Sequence, residues 1–88
     1  MYVEVKNLKG TSDNYPLGFS SWKDFWEQQT GRKFTKCSCT ICAEKAILGG
    51  HVIRTTGSRN WYIVPLCQRC NHREDSFNVS QADLVPVR

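Results

Sequence analysis

Two C-x-x-C pairs, Cys39-Thr40-Ile41-Cys42 and Cys67-Gln68-Arg69-Cys70, stand 24 residues apart in a chain of 88 residues. No other feature of the sequence limits its fold so tightly. A chain this short buries only a modest share of its apolar surface on folding and needs a staple. Cysteines supply one as disulfides in an oxidising compartment or as metal ligands in a reducing one. A fifth cysteine, Cys37, makes the count odd, which favours metal. The N-terminus, Met1-Tyr2-Val3-Glu4-Val5-Lys6, carries charge at positions 4 and 6 and leads into no apolar run. The expectation is therefore of a cytoplasmic or nuclear chain, not secreted, without a secretory signal or membrane span. A redox C-x-x-C is the competing reading, but it normally sits in a βαβ setting, and nothing here alternates in that way.

Zinc is borderline soft and accepts four thiolates in a tetrahedron, and a C-x-x-C turn brings two sulfurs to one ion without strain. The expected ligands of a Zn²⁺ ion are Cys39, Cys42, Cys67 and Cys70. Cys37 either replaces Cys39, through a C-x-x-x-x-C spacing that ends at Cys42, or is a free thiol. Four sulfurs close the shell, so this zinc is read as structural and does not activate water.

The charge is uneven. Residues 32–73 hold Arg32, Lys33, Lys36, Lys45, Arg54, Arg59, Arg69 and Arg73 against Glu44 alone, a net +7, while the flanking segments are slightly acidic. Four thiolates around one Zn²⁺ reduce that excess by about two charges. A basic centre suits a polyanion such as nucleic acid, although charges clustered in sequence can also be ordinary solvated groups on different faces.

With no repeat, low-complexity tract or linker, residues 1–88 read as one domain. Its parts are an N-terminal loop and helix over 1–36, a zinc-binding core over 37–75 and a tail over 76–88. Residues 10–20 read as a loop. Ser21-Trp22-Lys23-Asp24 has the form of a capping box, Trp22, Phe25 and Trp26 fall at i, i+3 and i+4, and Gly31 sits where a C-terminal cap belongs. That helix is expected to pack onto the zinc module, its aromatics being core more readily than a platform for bases. The runs 46–53 and 61–66, with a basic polar turn between them, read as a β-hairpin. A short helix is expected over 71–77, and an edge strand from Val79, Leu84, Val85 and Val87 around Pro86. The fold class is small α+β: a zinc-stabilised hairpin plus a short helix, with an N-terminal packing helix.

Within this frame, C-x-x-C, then Gly50-His51-Val52, then Trp61-Tyr62-Ile63-Val64-Pro65-Leu66-Cys67 and Cys70-Asn71 resemble the HNH, or His-Me finger, nucleases. The likeness is greatest to their four-cysteine branch, typified by recombination endonuclease VII, and covers about residues 37–75. It implies a ββα-metal, treble-clef-like motif. It also implies His51 as general base, Asn71 as ligand of a catalytic Mg²⁺ or Mn²⁺, and His72 as a substitute ligand. The chemistry is coherent, since a neutral imidazole takes a proton near pH 7 and a hard cation stabilises charge on phosphate. The sequence departs from the family at Gly50, where an acidic metal ligand usually stands. Alternatives for these residues stay open: His51 as a hydrogen-bonding residue beside the hairpin, Asn71 as a cap of the zinc turn, His72 as an exposed polar group.

Three functions are weighed on this basis. The first is a non-catalytic module that binds nucleic acid through Arg54, Arg59, Arg69 and Arg73. The second is a metal-dependent endonuclease that hydrolyses phosphodiesters, and the third is a protein-binding adaptor or inhibitor.

Overall fold

The computed structural model describes residues 1–8, 18–57 and 60–87. Five strands form one antiparallel sheet: β1 (Tyr2–Asn7), β2 (Leu48–Arg54), β3 (Trp61–Leu66), β4 (Phe77–Ser80) and β5 (Val85–Pro86), in the spatial order β4-β1-β2-β3-β5. Helix α1 spans Trp22–Thr30, and a single turn, α2, spans Gln68–Asn71 between the second pair of cysteines. The expected hairpin is present, with Gly50 opposite Val64 and His51 opposite Ile63. Most of the loop expected over 10–20, up to residue 17, lies outside the described residues.

Helix α1 starts and stops as its sequence dictates. The Ser21 hydroxyl accepts from the Asp24 backbone N–H at 3.0 Å, and Gly31 adopts φ 72°, where its N–H reaches the Glu27 carbonyl. A residue with a Cβ meets a steric penalty in that left-handed conformation, which is why glycine ends the helix.

Alternation along β2 and β3 sorts side chains to two faces. Ile63 joins Trp26, Phe34, Ala46 and Val85 beneath α1. Val52, Val64 and Leu66 point the other way, into a cluster with Val5, Phe77, Val79 and four buried cysteines. Both edges of the sheet are blunted, which keeps them from pairing with other chains. Cys39 bridges Val79 and the Thr40 N–H bonds the Asn78 carbonyl along β4, while β5 is two residues long and ends in proline.

The structure departs from expectation at two places. The first N-terminal residues are not a loop: β1 is an inner strand between β2 and β4, with Val3 and Val5 turned to the cysteine face. No helix spans 71–77. The helical turn ends at Asn71, and the chain leads into β4, because Phe77 and Val79 bury more apolar area by pairing with β1 than a polar helix would. Where the resemblance implies the helix of a treble-clef-like motif, the described residues hold a single turn. The tail does supply an edge strand, β5, on the far side of β3. Among the described residues no helix is long and apolar enough to cross a membrane.

Candidate metal centre

Two short loops deliver the sulfurs. The first is closed at its base by a bridge between Lys36 and Lys45 and by the Cys37 N–H donating to the Glu44 carbonyl at 2.8 Å. The second is α2, whose first turn lets the Cys70 N–H donate to Cys67 Sγ at 3.4 Å. Cys37, Cys42, Cys67 and Cys70 bring their sulfurs within 4.8 Å of one another. Cys42 Sγ and Cys67 Sγ are 3.6 Å apart, and tetrahedral Zn–S bonds of about 2.3 Å place sulfurs roughly 3.8 Å apart. The donor set therefore fits a tetrathiolate zinc ion, with three ligands buried and Cys42 half-exposed.

Cys39, expected among the ligands, is outside this group, and Cys37 takes its place. The backbone explains the exchange. Cys39 is tied to β4 by its bridge to Val79 and sits buried in the core, where its sulfur accepts from Arg73 Nη1 at 3.7 Å. Cys37, at the base of the loop, is the residue left to face the second pair.

Without metal the cluster holds protons unevenly. Burial pushes the Cys37 thiol up to about 11 and raises Cys70 further. Burial acts on Cys67 in the same sense, but hydrogen bonds from the Cys70 N–H and from neighbouring sulfurs outweigh it and hold this thiol below its ordinary value. Of these three thiols, Cys67 is the one that gives up its proton most readily. A divalent ion held by Cys37, Cys42, Cys67 and Cys70 would displace protons from the thiols and fix all four sulfurs.

A second layer braces the knuckle. Asn7, at the end of β1, donates its side-chain amide to the carbonyls of Cys70 at 2.8 Å and Arg73 at 2.9 Å. Sequence reasoning did not single out Asn7; the V-E-V-K alternation that precedes it was the available signal for a strand ending there.

The residues implied by the nuclease resemblance do not come together. His51 faces α1, its ring 4.6 Å from that of Trp22 and 5.9 Å from that of Trp61, both edge-on. It is buried, and burial lowers its pKa, so the imidazole is neutral at pH 7. Its Nε2 has no hydrogen-bond partner among the described residues. Position 50 faces the opposite way, where a Cβ would lie 2.5 Å from Leu66 Cδ1 and 2.9 Å from Asn71 Oδ1. The Asn71 side chain is therefore on the cysteine face of β2, and the strand separates it from His51. An acidic side chain at position 50 would require the side chains of Leu66 and Asn71 to shift. His72 ends α2 as an exposed residue.

Of the four arginines expected to bind phosphate, Arg73 is engaged internally. It forms a two-point pair with Asp75, at 3.0 and 2.8 Å, and lies over the Phe77 ring. This pairing raises the Arg73 pKa and lowers that of Asp75. Arg69 is exposed. Arg54 is half-buried beside a depression of about 620 Å³ that Lys6, Thr55 and Thr56 also line, and its Nε is buried without a partner among the described residues. Arg59 lies outside the described residues.

No family profile, no curated protein and no solved structure matches this chain. What is shown is a small α+β protein with a four-cysteine group placed to hold a metal ion.

Proposed function

We propose that the chain is a zinc-stabilised module that binds nucleic acid without cleaving it. The observation that carries the zinc reading is the convergence of four sulfurs, all within 4.8 Å of one another, at the junction of two knuckles. All four positions around the ion are filled by protein, so the metal organises the fold and leaves no site for water or substrate. Support for a nucleic-acid partner comes from the basic span 32–73, from the exposed Arg69, and from Lys6 and Arg54 at the depression beside the hairpin turn. The unpartnered donor on Arg54 is the kind of group a phosphate oxygen satisfies.

The alternative of an HNH endonuclease using Mg²⁺ or Mn²⁺ draws on the sequence resemblance. Against it stand the closed space at Gly50 and the placement of His51 and Asn71 on opposite faces of β2. Anisotropy titration of a labelled duplex and a labelled single strand, at rising salt, tests the binding reading. Affinity is expected to fall linearly on a log–log plot as counterions are released, and Arg54→Gln to flatten the slope. Plasmid incubated with the protein and Mg²⁺ or Mn²⁺ is expected to stay intact. Metal-dependent nicking abolished by His51→Ala would instead establish the nuclease.

A further inference from the structure

A cleft of about 330 Å³ opens between residues 32–40 and residues 80–83, with Tyr2 at its rim. Its wall is the first cysteine loop, so the cleft depends on the metal centre for its shape. We propose that this cleft takes one nucleotide of a single-stranded nucleic acid, with the base on the ring of Tyr2 and the phosphate on Lys36, which lines the cleft, and on Lys45, which stands opposite Lys36 across the bridge and outside the lining. The inference rests on the nucleic-acid reading above and adds a site and a strand preference to it.

The acid in the cleft lining is already satisfied. Asp83 accepts from Arg32 Nη2 at 3.0 Å and from the Ser38 hydroxyl at 2.7 Å, and its backbone carbonyl accepts from the Trp26 indole at 2.8 Å. Arg32 and Asp83 cancel, and Lys33, also in the lining, reaches Glu27 at 3.8 Å, which leaves Lys36 to set the charge of the cleft. Lys36 stands directly opposite Lys45 in an antiparallel bridge, and neither has an ion-pair partner among the described residues. Like charges facing each other across strands are destabilising. A loaded metal centre, at −2, offsets part of that repulsion, while the two exposed ammonium groups remain free for an anion placed between them. An anion bridging them turns a repulsive pair into a binding site.

Tyr2 supplies the second observation. It lines the cleft yet is 68% exposed, a large ring with little packed against it. Aromatic rings beside a basic groove are platforms on which single-strand bases stack, whatever their sequence. The cleft volume accommodates one unstacked nucleotide, whereas a duplex keeps its bases paired and away from Tyr2. An acidic peptide would meet the lysines but offers no planar base to the ring.

The test uses the zinc-loaded full chain, with a fluorescein-labelled ten-nucleotide oligothymidylate, a duplex of the same length and a polyglutamate peptide as probes. Lys36→Gln with Lys45→Gln is expected to weaken strand binding at least tenfold, lowering the salt slope by about 0.7 for each phosphate the protein no longer neutralises. Tyr2→Ala is expected to weaken it about fivefold or more, with the salt slope unchanged. Zinc content and circular dichroism establish that the variants are folded. Tyr2→Ala serves alone if the double variant does not fold, because an exposed ring is removed without opening the core. Strand affinity unchanged by these substitutions, or a duplex bound as tightly as the strand, overturns this proposal while leaving the broader nucleic-acid reading intact. Binding of polyglutamate alone, or of no probe at low salt, overturns both.

Discussion

The two faces of the sheet are stabilised in different ways. Beneath α1, Trp26 and Phe34 meet edge-on at 5.2 Å, Trp22 and Phe25 at the same distance, and the buried Trp26 reaches the Asp83 carbonyl with its indole N–H. These rings supply large apolar area with few polar obligations. On the other face, the space among Val5, Val52, Val64, Leu66 and Val79 is shared with Cys37, Cys39, Cys67 and Cys70. Sulfurs there leave polarisable groups that burial alone does not satisfy. The contrast separates two kinds of packing: the aromatic face folds by area, and the cysteine face brings together four sulfurs from two loops, placed to hold a metal ion.

The largest effect should come from breaking the cysteine face. Chelation of the metal, or Cys37→Ser, is expected to unfold the protein, because a structural zinc contributes on the order of 10 kcal/mol in small domains. Cys39→Ser is the sharpening control. Its sulfur lies outside the ligand group, so this variant should keep one zinc by elemental analysis and lose only packing. Zinc retained by Cys37→Ser and lost by Cys39→Ser would reverse the ligand assignment.

Breaking the aromatic face should cost less and leave the metal in place. Trp26→Ala removes a ring that is 2% exposed, and such truncations cost about 3–5 kcal/mol. Urea denaturation should show the loss while the folded fraction still binds zinc. Equal loss of zinc from this variant would mean that the two faces do not differ as described.

Gly50 tests the boundary between the faces. Gly50→Asp places a side chain against Leu66 and Asn71, and overpacking of this kind costs about 1–3 kcal/mol, with burial of a charge adding to it. The variant should be destabilised in urea and gain no affinity for Mg²⁺ by calorimetry. Mg²⁺ binding by a stable Gly50→Asp protein would show room for an acidic ligand and revive the nuclease reading.

How far the sequence revealed all this follows from the reach of its signals. The capping box at Ser21, the ring spacing at Trp22, Phe25 and Trp26, and Gly31 are local features, and α1 begins and ends on them. The hairpin was equally legible, because β2 and β3 are each long and apolar. Strand β1 was not legible because only Val3 and Val5 turn inward, too few to stand out without their partner β4, which is 70 or more positions away. The same remoteness hid the choice between Cys37 and Cys39. Spacing alone favours C-x-x-C, and the bridge to Val79 that removes Cys39 from the metal is a tertiary one.

The smallest effect expected is a pH dependence carried by His51. Its pKa is lowered in the folded state by burial against Trp22 and Trp61, whereas in the unfolded chain it is near the ordinary histidine value of about 6.5. As pH falls through that value the unfolded state takes up a proton that the folded state does not yet bind. Stability from this group is therefore full above about pH 6.5 and declines as the pH drops toward the folded-state value. Acid also loosens zinc by protonating thiolates, so wild type must be compared with His51→Gln at matched zinc occupancy. Between about pH 7 and pH 5.5 the wild type should lose more urea stability than the variant, the difference being the histidine's share. Parallel pH curves for the two proteins would mean that His51 takes up its proton alike in the folded and unfolded chain, which its burial beside two indole rings opposes.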